Sequence, residues 1–140
     1  MTGTPDLAAL LGLPADVVVR ALGTDWAEVT GPEHERWFVS GRPAQVAVGW
    51  DGFDFTLARP EPRWAGHELV WEFVADRRFS SDEVLYERVA LAEAAEEVAR
   101  KRRRSFRWCP MCREVNAREC VHDNTGLCMR CAERFLGVVH

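Results

Sequence analysis

The sequence predicts an α+β fold with an N-terminal helical hairpin, an antiparallel meander of about four strands, a long helix that covers the meander, and a small cysteine-rich C-terminal part. Three observations carry this prediction: two stretches of apolar residues at helical spacing, alternating residues around an Asp51-Gly52 turn, and two close cysteine pairs after residue 105. The 140 residues, 47% of them apolar and 29% charged, are enough for one modest core and a small appendage.

The first predicted element is the helical hairpin. Thr4 stands before a proline and is expected to cap a helix that ends at Gly12, and a second helix is expected from Pro14 to Leu22. The apolar pattern resembles a bacterial helix-turn-helix. However, the positions that usually read DNA bases are Val17 and Val19, so we expect these side chains to pack on the sheet instead.

The meander is centred on the Asp51-Gly52 dipeptide, which is typical of a two-residue hairpin turn. Residues 45–50 and 53–59 alternate around it. A two-residue turn would place three apolar pairs on one face of the sheet: Trp50 with Phe53, Val48 with Phe55, and Val46 with Leu57.

Flanking strands are expected from Glu35 to Ser40 and from His67 to Ala75, with a connection marked by Pro60, Pro62 and Gly66 before the last one. This arrangement gives four strands.

A long helix should follow the meander. Ser80 and Glu83 have the spacing of a capping box, and apolar residues at helical spacing continue to Ala99. We expect this helix to cover the apolar face of the sheet and to end in the run from Arg100 to Arg104, whose five cations should remain accessible.

Six tryptophans could form a stacking surface for bases or proline-rich peptides. Trp50 and Trp71 fall in the predicted inward rows of the sheet and are expected in the core. Because periodicity does not place Trp26, Trp37 and Trp64, any aromatic binding surface is expected to come from these three.

Four of the five cysteines form two Cys-x2-Cys pairs separated by 15 residues: Cys109 with Cys112, and Cys128 with Cys131. Each pair can supply two thiolates from one tight turn, and four thiolates satisfy one tetrahedral structural zinc ion. An iron–sulfur cluster and a redox dithiol are the alternatives. Cys120 and His122 lie between the pairs, and we expect neither to be a ligand because two pairs already fill the coordination sphere.

The C-terminal segment resembles a treble-clef finger and also a plain zinc ribbon. The resemblance rests on the two cysteine pairs, a turn at residues 124–126 and a predicted helix from Cys131 to Gly137. It implies the uses of such fingers, in DNA-binding proteins, RNA polymerase factors, ribosomal proteins and protein adaptors. The helix leading into the finger also resembles RNA polymerase factors of the DksA/TraR type, whose long acidic-tipped coiled coil has no counterpart in this sequence.

The charge is divided along the chain. Residues 1–99 contain 8 arginines and 18 acidic residues, a net charge of −10, whereas residues 100–140 contain 10 basic and 4 acidic residues, a net charge of +6. We therefore predict an acidic α+β domain over residues 1–104 and a basic four-cysteine zinc finger over residues 105–140.

Catalysis is not expected, because four cysteines leave zinc no open position and no Ser, His and carboxylate spacing stands out; His34 is interpreted as part of a polar approach to a strand. The first functional hypothesis is nucleic-acid binding with a role in transcription regulation. The second is a protein adaptor with a purely structural zinc, docking on an acidic protein surface. A second protein partner for the acidic domain is compatible with either hypothesis.

The predicted contact residues are the cations of the helix end and the finger: Arg100, Lys101, Arg102, Arg103, Arg104, Arg107, Arg113, Arg118, Arg130 and Arg134. No apolar run reaches the roughly 18 residues of a membrane-spanning helix and no secretory leader is evident, so a cytoplasmic protein is expected.

Overall fold

The computed structural model describes residues 3–32, 35–66 and 68–137. His34 and His67, which enter the sequence analysis as a polar approach and as the start of a strand, lie outside these ranges. The fold is α+β, as predicted. Its helices are α1 (Thr4–Leu11), α2 (Ala15–Leu22), α3 (Ser81–Tyr86), α4 (Arg88–Ser105) and α5 (Met129–Leu136), and its strands are β1 (Trp26–Val29), β2 (Arg36–Ser40), β3 (Val46–Trp50), β4 (Asp54–Ala65), β5 (Glu68–Ser80), β6 (Arg107–Cys109) and β7 (Glu114–Asn116).

The main sheet is an antiparallel meander in the order β1-β2-β3-β4-β5, so it has five strands and not four. The additional strand β1 was not predicted because it has only four residues and because Glu28 interrupts the run of apolar residues. The predicted connection at Pro60 and Pro62 is also wrong, because both prolines lie inside β4. Beyond Ala58, β4 pairs with β5 alone, and such an edge tolerates the missing N–H of proline.

The central hairpin occurs where it was predicted, but its register differs by two residues. Trp50 pairs with Phe55 and Val48 with Leu57. The carboxylate of Asp51 accepts hydrogen bonds from the backbone N–H groups of Phe53 and Asp54, both at 2.8 Å, and this widens the turn. Phe53 is consequently 82% exposed instead of inward. A shift of two leaves each remaining side chain on its predicted face.

The front face of the sheet carries the main core. Phe38, Val48, Leu57 and Phe79 pack against the inner faces of α1, α2 and α4. The predicted cover by a helix is therefore confirmed, although the helix is interrupted at Glu87, between α3 and α4.

The predictions for the helix ends and for α2 are confirmed only in part. The Ser80–Glu83 capping box is present, with both reciprocal hydrogen bonds. The N-cap of α1 is Gly3 rather than Thr4, and Val19 is 39% exposed rather than packed on the sheet. The hairpin instead contributes inward residues such as Val18 to the core.

The back face of the sheet carries a second, smaller apolar cluster that includes Trp37, Val39 and Ala58. The rings of Trp37 and Phe73 stack with centroids 4.0 Å apart, and Phe73 is in turn parallel to Trp71. Trp71 was predicted to share the inward row with Trp50, and this is wrong because the β4–β5 register shifts at Leu57/Ala58. Such an irregularity places the residues of β5 that pair with β4 beyond Leu57, including Trp71, on the opposite face.

Candidate metal centre

The first cysteine pair lies on the short β6–β7 hairpin. Cys109 ends β6 and pairs with Glu114, so the chain turns through residues 110–113. The N–H of Arg113 donates to the carbonyl of Cys109 at 2.8 Å, and Arg113 has a φ of 57°. This tight turn returns Cys112 to the side of Cys109.

The second pair lies at the start of α5. Cys128 is the N-cap residue, and Cys131 is in the first turn. The preceding turn is closed by hydrogen bonds from the Gly126 N–H to the His122 carbonyl at 2.9 Å and from the His122 N–H to the Leu127 carbonyl at 2.8 Å. The helix begins two residues earlier than predicted and ends before Gly137, a left-handed C-cap.

The two turns bring the four sulfurs together. All four Sγ atoms lie within 4.8 Å of one another, and Cys112 Sγ is 3.9 Å from Cys128 Sγ. Bonds of about 2.3 Å from one tetrahedral metal ion require sulfur–sulfur distances of about 3.8 Å. Cys109, Cys128 and Cys131 are buried. The geometry therefore fits a single metal ion with four thiolate ligands.

The thiols of Cys109, Cys128 and Cys131 differ in their affinity for protons. Burial acts to raise the pKa of Cys109, but backbone N–H groups of Cys112, Cys128 and Met111 donate to its sulfur and lower the pKa to about 6. Burial and the neighbouring thiols raise the pKa of Cys131 to about 12, and burial also raises the pKa of Cys128. Four adjacent thiolates repel one another, so full ionisation requires a cation between them.

Cys120 and His122 lie outside the four-sulfur cluster, as expected. The thiol of Cys120 faces the carbonyl of Pro62 at 3.8 Å, and burial raises the pKa of Cys120 to about 11. His122 Nδ1 lies 3.1 Å from the Thr125 hydroxyl. Cys120 therefore contacts the main sheet, and His122 contacts the turn before the second cysteine pair.

The basic run does not remain fully accessible, and Arg102 is the clear exception. Its side chain is 2% exposed and forms a two-pronged ion pair with Glu119, with one Nη–Oε distance of 2.8 Å. Ser105 accepts a further hydrogen bond from it. The helix turns this position inward against the finger, so Arg102 joins α4 to the finger and is not part of an exposed surface.

The other predicted cations fall into two groups. Lys101 pairs with Glu97, Arg103 with Glu96, and Arg130 with Glu114. A second group has no carboxylate partner among the described residues: Arg100, Arg104, Arg107, Arg113, Arg118 and Arg134.

Arg130 also belongs to the surroundings of the metal centre. Cys112 and the nearby Cys128 raise the pKa of Arg130, and its carboxylate partner Glu114 adds to this effect. With a divalent ion bound, a four-thiolate centre would carry two negative charges, which this guanidinium would partly offset.

The tryptophans are placed differently from the expectation. Trp26 and Trp37 are buried in the front and back clusters, and of the three unplaced tryptophans Trp64 alone is well exposed, at 36%. Trp108, which is not among the residues predicted to form an aromatic surface, is 57% exposed on β6. Strand alternation could have indicated this exposure. Neighbouring residues of a strand face opposite sides, so an inward Cys109 implies an outward Trp108.

No protein-family model matches this chain, and no curated protein or solved structure does so either. In the described part of the chain, no helix combines the length and apolar character needed to cross a membrane.

Proposed function

We propose that this protein binds nucleic acid through a basic surface held in place by a structural zinc ion. Zinc is favoured over other metals because four thiolates in a tetrahedron suit it, and because the protein supplies all four ligands and leaves no open position. A first pair on a hairpin and a second pair at a helix start support a treble-clef type of finger.

The main support for this proposal is a group of exposed cations that have no carboxylate partner among the described residues. Arg100 and Arg104 lie one turn apart on α4, and Arg107, Arg113 and Arg118 lie in the chain that follows the helix. All five side chains are exposed. Like charges one helical turn apart, such as Arg100 and Arg104, repel each other, and nucleic-acid phosphates would relieve this repulsion while releasing counterions.

The zinc centre matters to this proposal because it fixes the finger cations relative to the helix. Arg113 lies in the first cysteine turn, and Arg118 begins the short 3-10 turn that also carries Glu119, the partner of Arg102. Loss of the metal would release both positions. Binding should therefore depend on zinc although zinc touches no phosphate.

The test compares two double variants that remove the same charge. Arg100→Ala/Arg104→Ala removes two exposed cations of α4 that have no carboxylate partner, and Arg20→Ala/Arg88→Ala removes two exposed arginines of residues 1–99. Fluorescence anisotropy with labelled duplex and single-stranded oligonucleotides is measured from 50 to 200 mM salt. The first variant should bind all sequences more weakly and lower the salt slope by about 1 to 2, since each lost phosphate contact contributes roughly 0.7 to 0.9.

Unchanged oligonucleotide binding by Arg100→Ala/Arg104→Ala would contradict nucleic-acid binding by this surface. An equal loss of binding in Arg20→Ala/Arg88→Ala would contradict it as well.

A protein adaptor is the second candidate function, and the exposed end of α5 favours it. Phe135 and Leu136 are 53% and 54% exposed there. Phe135→Ala should then abolish capture of a protein partner by the immobilised chain, with no oligonucleotide bound in either form.

A further inference from the structure

A groove runs between the finger and the back face of the sheet. Its wider part is an open cleft of about 940 Å³ lined by Val29, Val39, Pro43, Trp71, Trp108 and Arg113, among others. A narrower part of about 290 Å³ shares Pro43 and Trp71 with it and extends to Trp64. Three tryptophans therefore line one continuous groove.

The indoles in this groove are held in place, and their surfaces are partly free. Trp71 is half-buried and lies parallel to Phe73, at an interplanar angle of 7° and a centroid distance of 6.2 Å, and Phe73 stacks on Trp37. Trp108 is 57% exposed on β6, which the Cys109 end of the strand anchors to the metal centre. Rigid, accessible aromatic faces are the platforms on which unpaired bases stack.

The charge at the groove is opposite to that of the surrounding domain. Residues 1–99 carry 8 arginines against 18 acidic residues, yet Arg42 from this part lines the wider cleft, together with Arg113 and Arg130 of the finger. The acidic residue in that lining is Glu114, which already pairs with Arg130. Arg42 and Arg113 have no carboxylate partner among the described residues. They are left for the phosphates of a bound strand.

We propose that this groove binds single-stranded nucleic acid, with bases stacked on Trp108 and Trp71 and backbone phosphates at Arg42 and Arg113. The inference rests on the proposed function and adds the class of nucleic acid. Base pairs in a duplex hide their faces from side chains, so stacking on the groove requires unpaired bases. A proline-rich peptide would use the indoles but not the two unpartnered arginines.

The test measures binding of a thymidine 12-mer and of a 12-base-pair duplex by the zinc-loaded full chain and its Trp108→Ala variant. The 12-mer should bind the variant about tenfold more weakly, because one stacked base is lost, while its salt slope and the affinity for the duplex stay unchanged. Trp108→Phe, which keeps a ring, should retain most of the binding. Phe135→Ala removes an aromatic side chain of similar exposure outside the groove and should bind as the wild type does.

Three results would overturn the inference, and they can be distinguished from one another. If Trp108→Ala binds the 12-mer as tightly as the wild type while Arg100→Ala/Arg104→Ala binds weakly, the groove is not the site although the proposed function stands. If the wild type binds neither oligonucleotide, the proposed function fails as well. Binding of a proline-rich peptide without any oligonucleotide would make the groove a peptide site.

Discussion

Arg102 shows how one residue type serves opposite purposes at neighbouring positions. Arg100 and Arg104 are exposed and without carboxylate partners, but Arg102 is buried against Glu119 of the finger. The five adjacent cations of residues 100–104 cannot be told apart as buried or exposed from the sequence pattern. Which of them turns inward depends on the finger packing against that side of the helix, and local sequence does not report a contact 17 residues away.

Removal of the buried partner should be costly. Glu119→Ala leaves the Arg102 guanidinium buried without a counter-charge, and we expect the free energy of unfolding to fall by about 3 kcal/mol. Urea unfolding followed by tryptophan fluorescence measures this loss. Glu114→Ala breaks the exposed pair with Arg130 and should change stability by less than about 1 kcal/mol. Equal effects of the two substitutions would show that the Arg102–Glu119 pair does not join helix and finger.

The same pair predicts a dependence on pH. Burial opposes ionisation of Glu119, but the hydrogen-bonded guanidinium of Arg102 more than offsets this and lowers the pKa of Glu119. A lowered folded-state pKa stabilises the fold above the ordinary glutamate value of about 4.3, and this contribution is lost as the pH falls further. The difference in the free energy of unfolding between the wild type and Glu119→Ala, measured by urea unfolding, should therefore be constant from pH 7 to 5. It should shrink as the pH falls below about 4.3.

At the scale of elements, the sequence predicts well what is encoded within a few residues. The Ser80–Glu83 cap, the Asp51-Gly52 hairpin and the cysteine turns all occur where their spacing places them. Features set by irregular pairing were missed. The Asp51 side chain widens its own turn, and the register shift after Leu57 moves Trp71 to the back face, neither of which regular alternation reveals.

The cap of α3 allows a matched comparison of adjacent serines. Ser80→Ala removes the hydroxyl that accepts the N–H of Glu83, and we expect a loss of about 1 kcal/mol in unfolding free energy. Ser81→Ala changes the first helical residue and should be nearly neutral. Thermal unfolding followed by circular dichroism checks both, and equal midpoints for the two variants would contradict the role of the capping box.

At the scale of the whole molecule, an apolar core and a cluster of four cysteines that could hold one metal ion lie in different parts of the chain. The sheet and helices α1, α2 and α4 share the front core, whereas the finger has a small buried cluster made mostly of its cysteines. Contacts such as Arg102–Glu119 and Cys120–Pro62 join the two parts. The charge division in the sequence is the basis of the predicted boundary after residue 104. It does not reveal the contacts across this boundary, which join residues distant in the sequence.

Metal removal should therefore unfold the two parts unequally. After chelation we expect residues 105–137 to become sensitive to protease while the meander resists, because about 35 residues with so few large apolar side chains do not fold without a staple. Limited proteolysis with mass spectrometry maps the cuts. Cys128→Ser should reproduce the effect of chelation and Cys120→Ser should not; a meander that is digested together with the finger would show one cooperative unit instead.

The identity and number of bound metal ions test the central claim most directly. Native mass spectrometry of the purified full chain, together with elemental analysis, should find about one zinc per chain in the wild type and in Cys120→Ser. It should find little or none in Cys109→Ser or Cys131→Ser. A wild-type protein that contains no zinc and yet keeps residues 105–137 resistant to protease would contradict the account.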